Sequence, residues 1–327
     1  MKSIKSVRIK LDGMNTVKMF LPALVTLLAV SLLTSFFSNT FLTSANLFNV
    51  INQATTTGIM GVGVTFIITS GKFDLSSASI VCLSALISAD FCANKGVSPF
   101  VAILIAILIG VAAGCLNGFL VAYVGLIPFI ATMGTMNVFK GISLIYSKSL
   151  TIHSIPDGYT VWGSTKVFGL IPSGILISLV LYAIGFFVLS KTVFGHKVSA
   201  VGGNSEAARL AGIGVKRVVM SVYIIAGFCY SIAGVVLTGR VGAAYPTAAE
   251  GCELDVIAGI VIGGTSMAGG RGTHIGTWIG VLLVAIINNA INLLGISAYA
   301  TKLVQGTVIL LAVIVEILRS KTQSKKL

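Results

Sequence analysis

Negative charge is what this chain lacks most. It has nine Asp and Glu in 327 residues, and charged residues of both signs make up only 9% of it. A soluble domain carries about a quarter of its residues as Asp, Glu, Lys and Arg, so a water-soluble enzyme or binding module is excluded. Metal and redox motifs are also missing. Cys82, Cys92, Cys115, Cys229 and Cys252 show no CxxC spacing and fall mostly in apolar runs, where free cysteine packs as a small hydrophobe. His153, His196 and His274 are far apart in the chain and make no metal-ligand pattern. No GxxxxGKS/T run occurs: Lys72 follows Gly71 but precedes Phe73, and Gly263–Gly272 contains no lysine. Without that backbone cradle and its lysine the chain does not hold nucleotide phosphates in the P-loop manner. No cofactor is expected, and any ATP-driven step belongs to another chain.

What the chain has instead is apolar length. Hydrophobic residues make up 56% of it and the mean hydropathy is +1.02. Several runs reach the roughly 20 apolar residues that span a bilayer. Backbone N–H and C=O groups find no water there, so the spans are expected to be helices; the alternation of a β-barrel is absent. The expected fold is an all-α polytopic membrane protein of about ten transmembrane helices. Their approximate bounds are 19–37, 47–69, 74–94, 98–122, 128–146, 171–190, 217–238, 254–268, 273–294 and 302–318. The first run follows Lys2, Lys5, Arg8, Lys10 and Lys18, exceeds the usual core of a signal peptide, and has no clear cleavage site after it. It reads as a retained first helix.

The net charge of +13 reflects topology rather than nucleic acid, because the basic residues sit at the termini and in short loops. With an even number of spans and a basic N-terminus inside, both termini are cytoplasmic. Sixteen of the 22 lysines and arginines then fall inside and six outside, the bias of the positive-inside rule. The expected organisation is one transmembrane domain over 1–327, with cytoplasmic tails at 1–18 and 319–327. A loop at 147–170, containing the Pro156-Asp157-Gly158 turn signal, faces outside, and a loop at 191–216 faces the cytoplasm.

That cytoplasmic loop holds a short helix. Asn204 is a good N-cap, Glu206 lies in the first turn, Arg209 follows, and Gly212 can end it in a left-handed cap. Two turns are marginal in water alone, so the helix needs a surface for its apolar face of Ala207, Leu210 and Ala211. One reading is a loop packed on its own protein; the other is a docking helix for a cytoplasmic partner.

Four segments together resemble the ribose-type sugar permeases, the membrane subunits of ATP-binding cassette (ABC) importers. They are Asn46–Ile51 running to Gly71–Ser76, the Gly202–Ile213 loop, Pro246–Asp255 running to Gly263–Gly272, and Asn292–Tyr299. The resemblance covers nearly the whole chain. One departure stands out: Lys72 and Phe73 replace the Gly-Ile of the family's usual Gly-Gly-Ile-Asp-Leu-Ser. The resemblance implies a multi-pass protein of the bacterial plasma (inner) membrane, paired with a second permease copy or a paralogue. It further implies an ABC ATPase subunit gripping Asn204, Glu206, Ala207, Arg209, Leu210 and Gly212, and an extracytoplasmic sugar-binding protein that delivers the sugar.

Polar residues inside spans are candidates for the substrate pathway. Asn49, Asn52, Gln53 and Thr56 recur at helical spacing on the second span, and Asn117, Asn137 and Asn289 are further amides at membrane depth, as are Asn288 and Asn292. Amides offer both donor and acceptor to a neutral polyol; the ordinary alternative is interhelical hydrogen bonding. Arg240, Glu250 and Glu253, with Asp255, crowd a short outer segment that is either a solvated loop or a docking contact for the binding protein. A competing reading is a ten-helix secondary transporter of a small polar metabolite. It fits less well, because Asp74, Asp90 and Glu316 all lie near predicted span ends. An ATPase encoded next to this chain would discriminate the two. No nucleophile–base pair stands out to favour a membrane enzyme.

Overall fold

Helix α10 (Val215–Val241) is the centre of the fold: it packs on α2 (Ser44–Thr69), α3 (Ser77–Ala93), α4 (Pro99–Phe119) and α6 (Asp157–Ser164), and it buries Tyr223 and Tyr230 completely. The computed structural model describes residues 21–167, 169, 171–295, 303 and 306–307. The other elements are α1 (Leu21–Phe37), α5 (Pro128–Ser147), α7 (Ser173–Lys191), α8 (Val193–Gly203), α9 (Ser205–Leu210), α11 (Cys252–Ile262) and α12 (His274–Leu293). A two-stranded hairpin, β1 (Lys166–Val167) with β2 (Ile171–Pro172), precedes α7. Among the described residues five helices are long and apolar enough to cross a membrane: α2, α4 with its π-helical extension to Val124, α7, α10 and α12. The chain is an all-α membrane protein. The tails at 1–18 and 319–327 lie outside the described residues, as does nearly all of the tenth expected span.

Small residues set the helix packing, because lipid gives apolar side chains no reason to prefer protein neighbours. Gly110 and Gly114 of α4 press on the backbone of Gly227 and Tyr223, and a Cβ at either would run into a carbonyl oxygen of α10. Gly259 of α11 and Gly263, just after its end, meet Gly276 and Gly280 of α12 in the same way. Gly272, which shares their spacing, lies instead against the Thr69 side chain. Leu108, Phe129, Ile145 and Phe187 point outward, as expected of helices that face lipid.

The structure corrects several expected boundaries. The span expected at 254–268 is a helix of 11 residues that stops at Ile262 and gives way to a turn lined by glycines. The segment before it is buried too: Ala249 is fully covered and its N–H donates to Cys82 Sγ at 3.3 Å. The span expected from 74 begins at Ser77, after a non-helical break over Lys72–Ser76. Both long loops contain helices not anticipated there, α6 in the first and α8 in the second. At the C-terminal ends of α3 and α5, Asp90 accepts from Tyr146 Oη at 2.6 Å and pairs with Lys95 at 3.2 Å. The Tyr146 hydroxyl, and then Asp90, hold the Lys95 ammonium above its ordinary pKa.

At the C-terminal end of α2 the backbones of α2, α8 and the 264–272 turn meet at glycines. Gly71 and Gly269 adopt left-handed φ of +73° and +84°, and the Gly270 N–H donates to the Thr69 carbonyl at 2.9 Å. A Cβ on Gly202 would strike that carbonyl and come within 2.6 Å of the Gly270 nitrogen, whereas a Cβ on neighbouring Gly203 would meet nothing within 4 Å. Gly202→Ala is therefore expected to destabilise the folded protein by about 1–3 kcal/mol, the usual cost of overpacking. Gly203→Ala should leave its unfolding temperature in detergent unchanged, and equal effects of the two would contradict this packing.

Candidate functional site

The polar stripe of α2 opens onto a pocket of about 560 Å³. Asn49, Asn52, Gln53 and Thr57 of α2 form one wall. Arg240 and Val241 end α10, Cys252 and Asp255 begin α11, and Val281, Val284, Ala285 and Asn288 complete the lining from α12. The wall is ordered by its own hydrogen bonds. Gln53 Nε2 donates to Asn49 Oδ1 at 3.1 Å, and Arg240 NH1 donates to the Asn52 carbonyl at 2.7 Å. Asn288 Nδ2 donates to Asp255 Oδ2 at 3.3 Å. Asn52 Oδ1 is buried without a partner among the described residues. Thr56 is buried off the pocket and its hydroxyl has no partner among the described residues; Thr57, the next residue, lines the pocket instead.

The other amides lie elsewhere. Asn117 closes the break between α2 and α3: its Nδ2 donates to Ser76 Oγ at 2.7 Å and its Oδ1 accepts from Thr135 at 2.7 Å. In the same cluster Asp74 accepts from the Ser76 N–H at 2.8 Å, from Ser76 Oγ at 2.6 Å and from Tyr230 Oη at 3.0 Å. Tyr223 Oη donates to the Phe73 carbonyl at 2.6 Å, so the Lys72-Phe73 departure sits at the far end of α2 from the pocket. Asn289 and Asn46 exchange two amide hydrogen bonds of 2.9 and 3.0 Å, clamping α12 to α2. Asn137 is exposed on α5 and bonds its own helix at the Met133 carbonyl, 3.0 Å away.

The acidic residues around the start of α11 also separate. Glu250 is exposed and pairs with Lys140 at 2.9 Å, whereas Glu253 accepts from the Gly251 N–H at 3.1 Å. Arg240 belongs to the pocket. Asp255 and Asn288 were visible in the sequence only as separate polar residues. The signal that joins them to the site is helical spacing, Cys252 with Asp255 on α11 and Val281, Val284, Ala285 and Asn288 on α12, but only the hairpin of the two helices brings those faces together.

At the opposite end, Asn204 caps α9 with its side-chain oxygen, accepting from the N–H groups of Glu206 at 3.1 Å and Ala207 at 2.9 Å. Gly212 takes the left-handed φ of +80° that ends it. Glu206 and Arg209 form an exposed ion pair along the helix, with the Arg209 hydrogen bond holding the Glu206 carboxyl below its usual pKa. Ala208 is the buried residue of α9. Ala207 and Ala211 are exposed, and Leu210 is 75% exposed. The apolar face of this helix is turned away from its own protein.

Residues 46–313 match the family described as the permease component of the branched-chain amino acid transport system. The chain is 39% identical to the ribose import permease protein of Bacillus subtilis (strain 168), over 94% of its own length and 95% of that protein's. It is 36% identical to the ribose import permease protein of Escherichia coli (strain K12), over 90% and 92% of the two chains. With the D-allose transport system permease protein of the same strain it shares 37% identity over 86% of each. No solved structure matches it.

A clamping amide and an exposed one can be told apart by stability. Asn289→Leu breaks the reciprocal pair with Asn46 and is expected to cost about 1 kcal/mol, since it removes two interhelical hydrogen bonds of about 0.6 kcal/mol each. Asn137→Leu, whose amide bonds only its own helix, should leave the unfolding temperature in detergent unchanged. Equal stability of the two variants would remove the clamp from Asn289.

Proposed function

We infer the role of this chain from its family: it belongs to the transport-system permease components, as a multi-pass, all-α membrane subunit of an ABC importer. Its relatives carry the names of ribose, allose and galactose permeases, and the cargo assigned to this chain is a monosaccharide of that class. The chain crosses the bacterial inner membrane ten times with both termini in the cytoplasm, as a single domain over 1–327. It forms the translocation pathway with a second copy or a paralogue. A binding protein delivers sugar at the outer rim, where exposed Glu250 is a contact. Arg240 and Glu253 are assigned to the pocket and to the start of α11. The α2 stripe of Asn49, Asn52 and Gln53 meets the sugar in transit.

The observation that carries the energetic half of this reading is the outward-facing apolar side of α9. A helix of two turns is marginal alone, and Ala207, Leu210 and Ala211 together give it an exposed apolar side turned away from its own protein, which a second surface would cover. An ATPase subunit that hydrolyses ATP in its own chain, with a cleft for Ala207 and Leu210 and an acidic or basic neighbour for Arg209 or Glu206, fits that face. The 26 residues of α2 span about 39 Å, so the pocket and the inner junction beside α8 and α9 lie near opposite faces of a bilayer.

Two outcomes test the proposal. Proteoliposomes holding the permease, its ATPase and its binding protein should take up D-ribose, D-allose or D-galactose only with ATP; uptake of none would overturn the sugar assignment. Leu210→Asp buries an unpaired charge in the proposed interface. The variant is expected to fold and insert normally, to lose co-purification with the ATPase, and to lower uptake by at least about tenfold, since such a charge costs several kcal/mol at a buried contact. Wild-type partner binding and uptake by that variant would show that α9 is not the coupling element.

A further inference from the structure

We propose that the exposed face of α4 and the first turn of α10 form a binding site for an anionic phospholipid, with its acyl chains along the helix and its headgroup on Lys216 and Arg217. The proposal goes beyond the transport reading and is independent of the cargo, since it concerns a face that α4 turns away from the rest of the protein.

The face follows from the packing. Gly110, Gly114 and Gly118 recur every four residues and press α4 onto α10. Leu104, Leu108, Leu116, Phe119 and Tyr123 lie on the opposite side of the same helix and its π-helical extension, and all five are exposed. This span is the most apolar of the five long enough to cross a membrane, so the stripe meets lipid tails. Leu108 and Phe119 are 11 residues apart, about 16 Å along a helix, the depth of one leaflet of a hydrocarbon core of roughly 30 Å. The stripe ends in two rings, Phe119 and Tyr123, stacked with centroids 6.0 Å apart. A tyrosine at the end of a span marks the headgroup level.

Positive charge sits where the stripe ends. Residues 191–217 carry five basic side chains, Lys191, Lys197, Arg209, Lys216 and Arg217, against one acid, Glu206, which pairs with Arg209. Met220, one turn on from Lys216, lies against Gly118, and Lys216 Nζ is 5.6 Å from the centre of the Tyr123 ring. Lys216 and Arg217 are both exposed, and neither has an anionic partner among the described residues. Orientation in the membrane asks only for positive charge in the loop; it does not require a lysine folded over a tyrosine at the rim of the lipid-facing stripe. An ammonium and a guanidinium side by side attract a phosphate. A headgroup with its own ammonium would bring a like charge to them, so a lipid of net negative charge fits best. Proteins are the rival occupants. A soluble ATPase could cover the two cations but not Leu108 and Leu116 farther along the span. A second copy could cover the stripe, but its exposed acid at that end, among the described residues, is the already paired Glu206.

Native mass spectrometry of the full-length chain in a mild detergent tests the site. The chain is titrated with phosphatidylglycerol, or with phosphatidylcholine of the same acyl chains. Phosphatidylglycerol is expected to bind at least about tenfold more tightly. Lys216→Gln and Arg217→Gln should each weaken its binding about fivefold, which corresponds to about 1 kcal/mol per basic residue at a membrane surface, and should leave phosphatidylcholine binding unchanged. Lys197→Gln, the same loss of charge on α8, is the control and should have no effect. All three side chains are exposed, so the variants are expected to keep the unfolding temperature of the parent. Equal affinity for the two lipids would overturn the proposal, as would an effect of Lys197→Gln as large as that of Lys216→Gln. Displacement of the lipid by inorganic phosphate would make this a site for a free anion. A changed oligomeric mass of Lys216→Gln, or loss of its co-purification with the ATPase, would make the patch a protein contact. Either of those results would also overturn it.

Discussion

The bilayer interior offers no water to a peptide group, and that constraint shapes every irregular segment of this protein. A helix satisfies its own backbone; a break in one must be wrapped in protein. The break at Lys72–Ser76 is closed on three sides: Tyr223 and Tyr230 reach it from α10, Asn117 from α4, and Thr132 from α5, accepting from the Leu75 N–H at 3.1 Å. The segment ahead of α11 is closed by α3 through Cys82 and by the Ala249 backbone. Polar side chains at membrane depth therefore divide into two populations. Asp74, Ser76, Asn117 and Thr135 hold backbone in place, and Asn49, Asn52, Gln53, Asp255 and Asn288 face a cavity.

This division gives α2 its place in the mechanism. One end carries the pocket wall, and the other is locked to α8 and the 264–272 turn by backbone contacts at Gly202, Gly71 and Gly269. Asn52 and Thr69 are 17 residues apart, about 25 Å along a helix, which approaches the thickness of the hydrocarbon core. On the proposed coupling role of α9, a displacement of it would pass to α2 through α8 and this close-packed junction, since densely packed interiors transmit strain. The same junction holds the turn that joins α11 to α12, so three of the four elements around the pocket meet at one inner point.

Much of this was legible in the sequence, and the failures have physical reasons. Apolar length and the scarcity of acid identify an all-α membrane protein, and Asn204 and Gly212 mark α9 by the chemistry of caps. The 191–216 loop concealed α8 because Gly195, Gly202 and Gly203 within it read as loop, although Thr192 caps it by accepting from the Gly195 N–H at 3.2 Å. The run at 254–268 reads as a full span because hydropathy does not register the turn that begins at Gly263, where glycines are as apolar on a scale as they are permissive in a backbone. Asn117 and Asn289 looked like Asn52 because an amide has the same pattern of donors and acceptors in a clamp and in a pocket; only the neighbours decide. Arg240 looked like a surface charge for the same reason. Its role depends on α2, which lies almost two hundred residues away in sequence.

The central claim is that α9 and the pocket are on opposite sides of the membrane, with α9 on the side where ATP is found. Site-directed labelling tests it most directly, in a background whose five cysteines are replaced by serine. In sealed cells an impermeant maleimide should label a Thr151→Cys variant, in the outer loop, and should leave Ser205→Cys untouched until the membrane is opened. Labelling of Ser205→Cys in sealed cells would contradict the claim, because no cytoplasmic ATPase could then engage the helix.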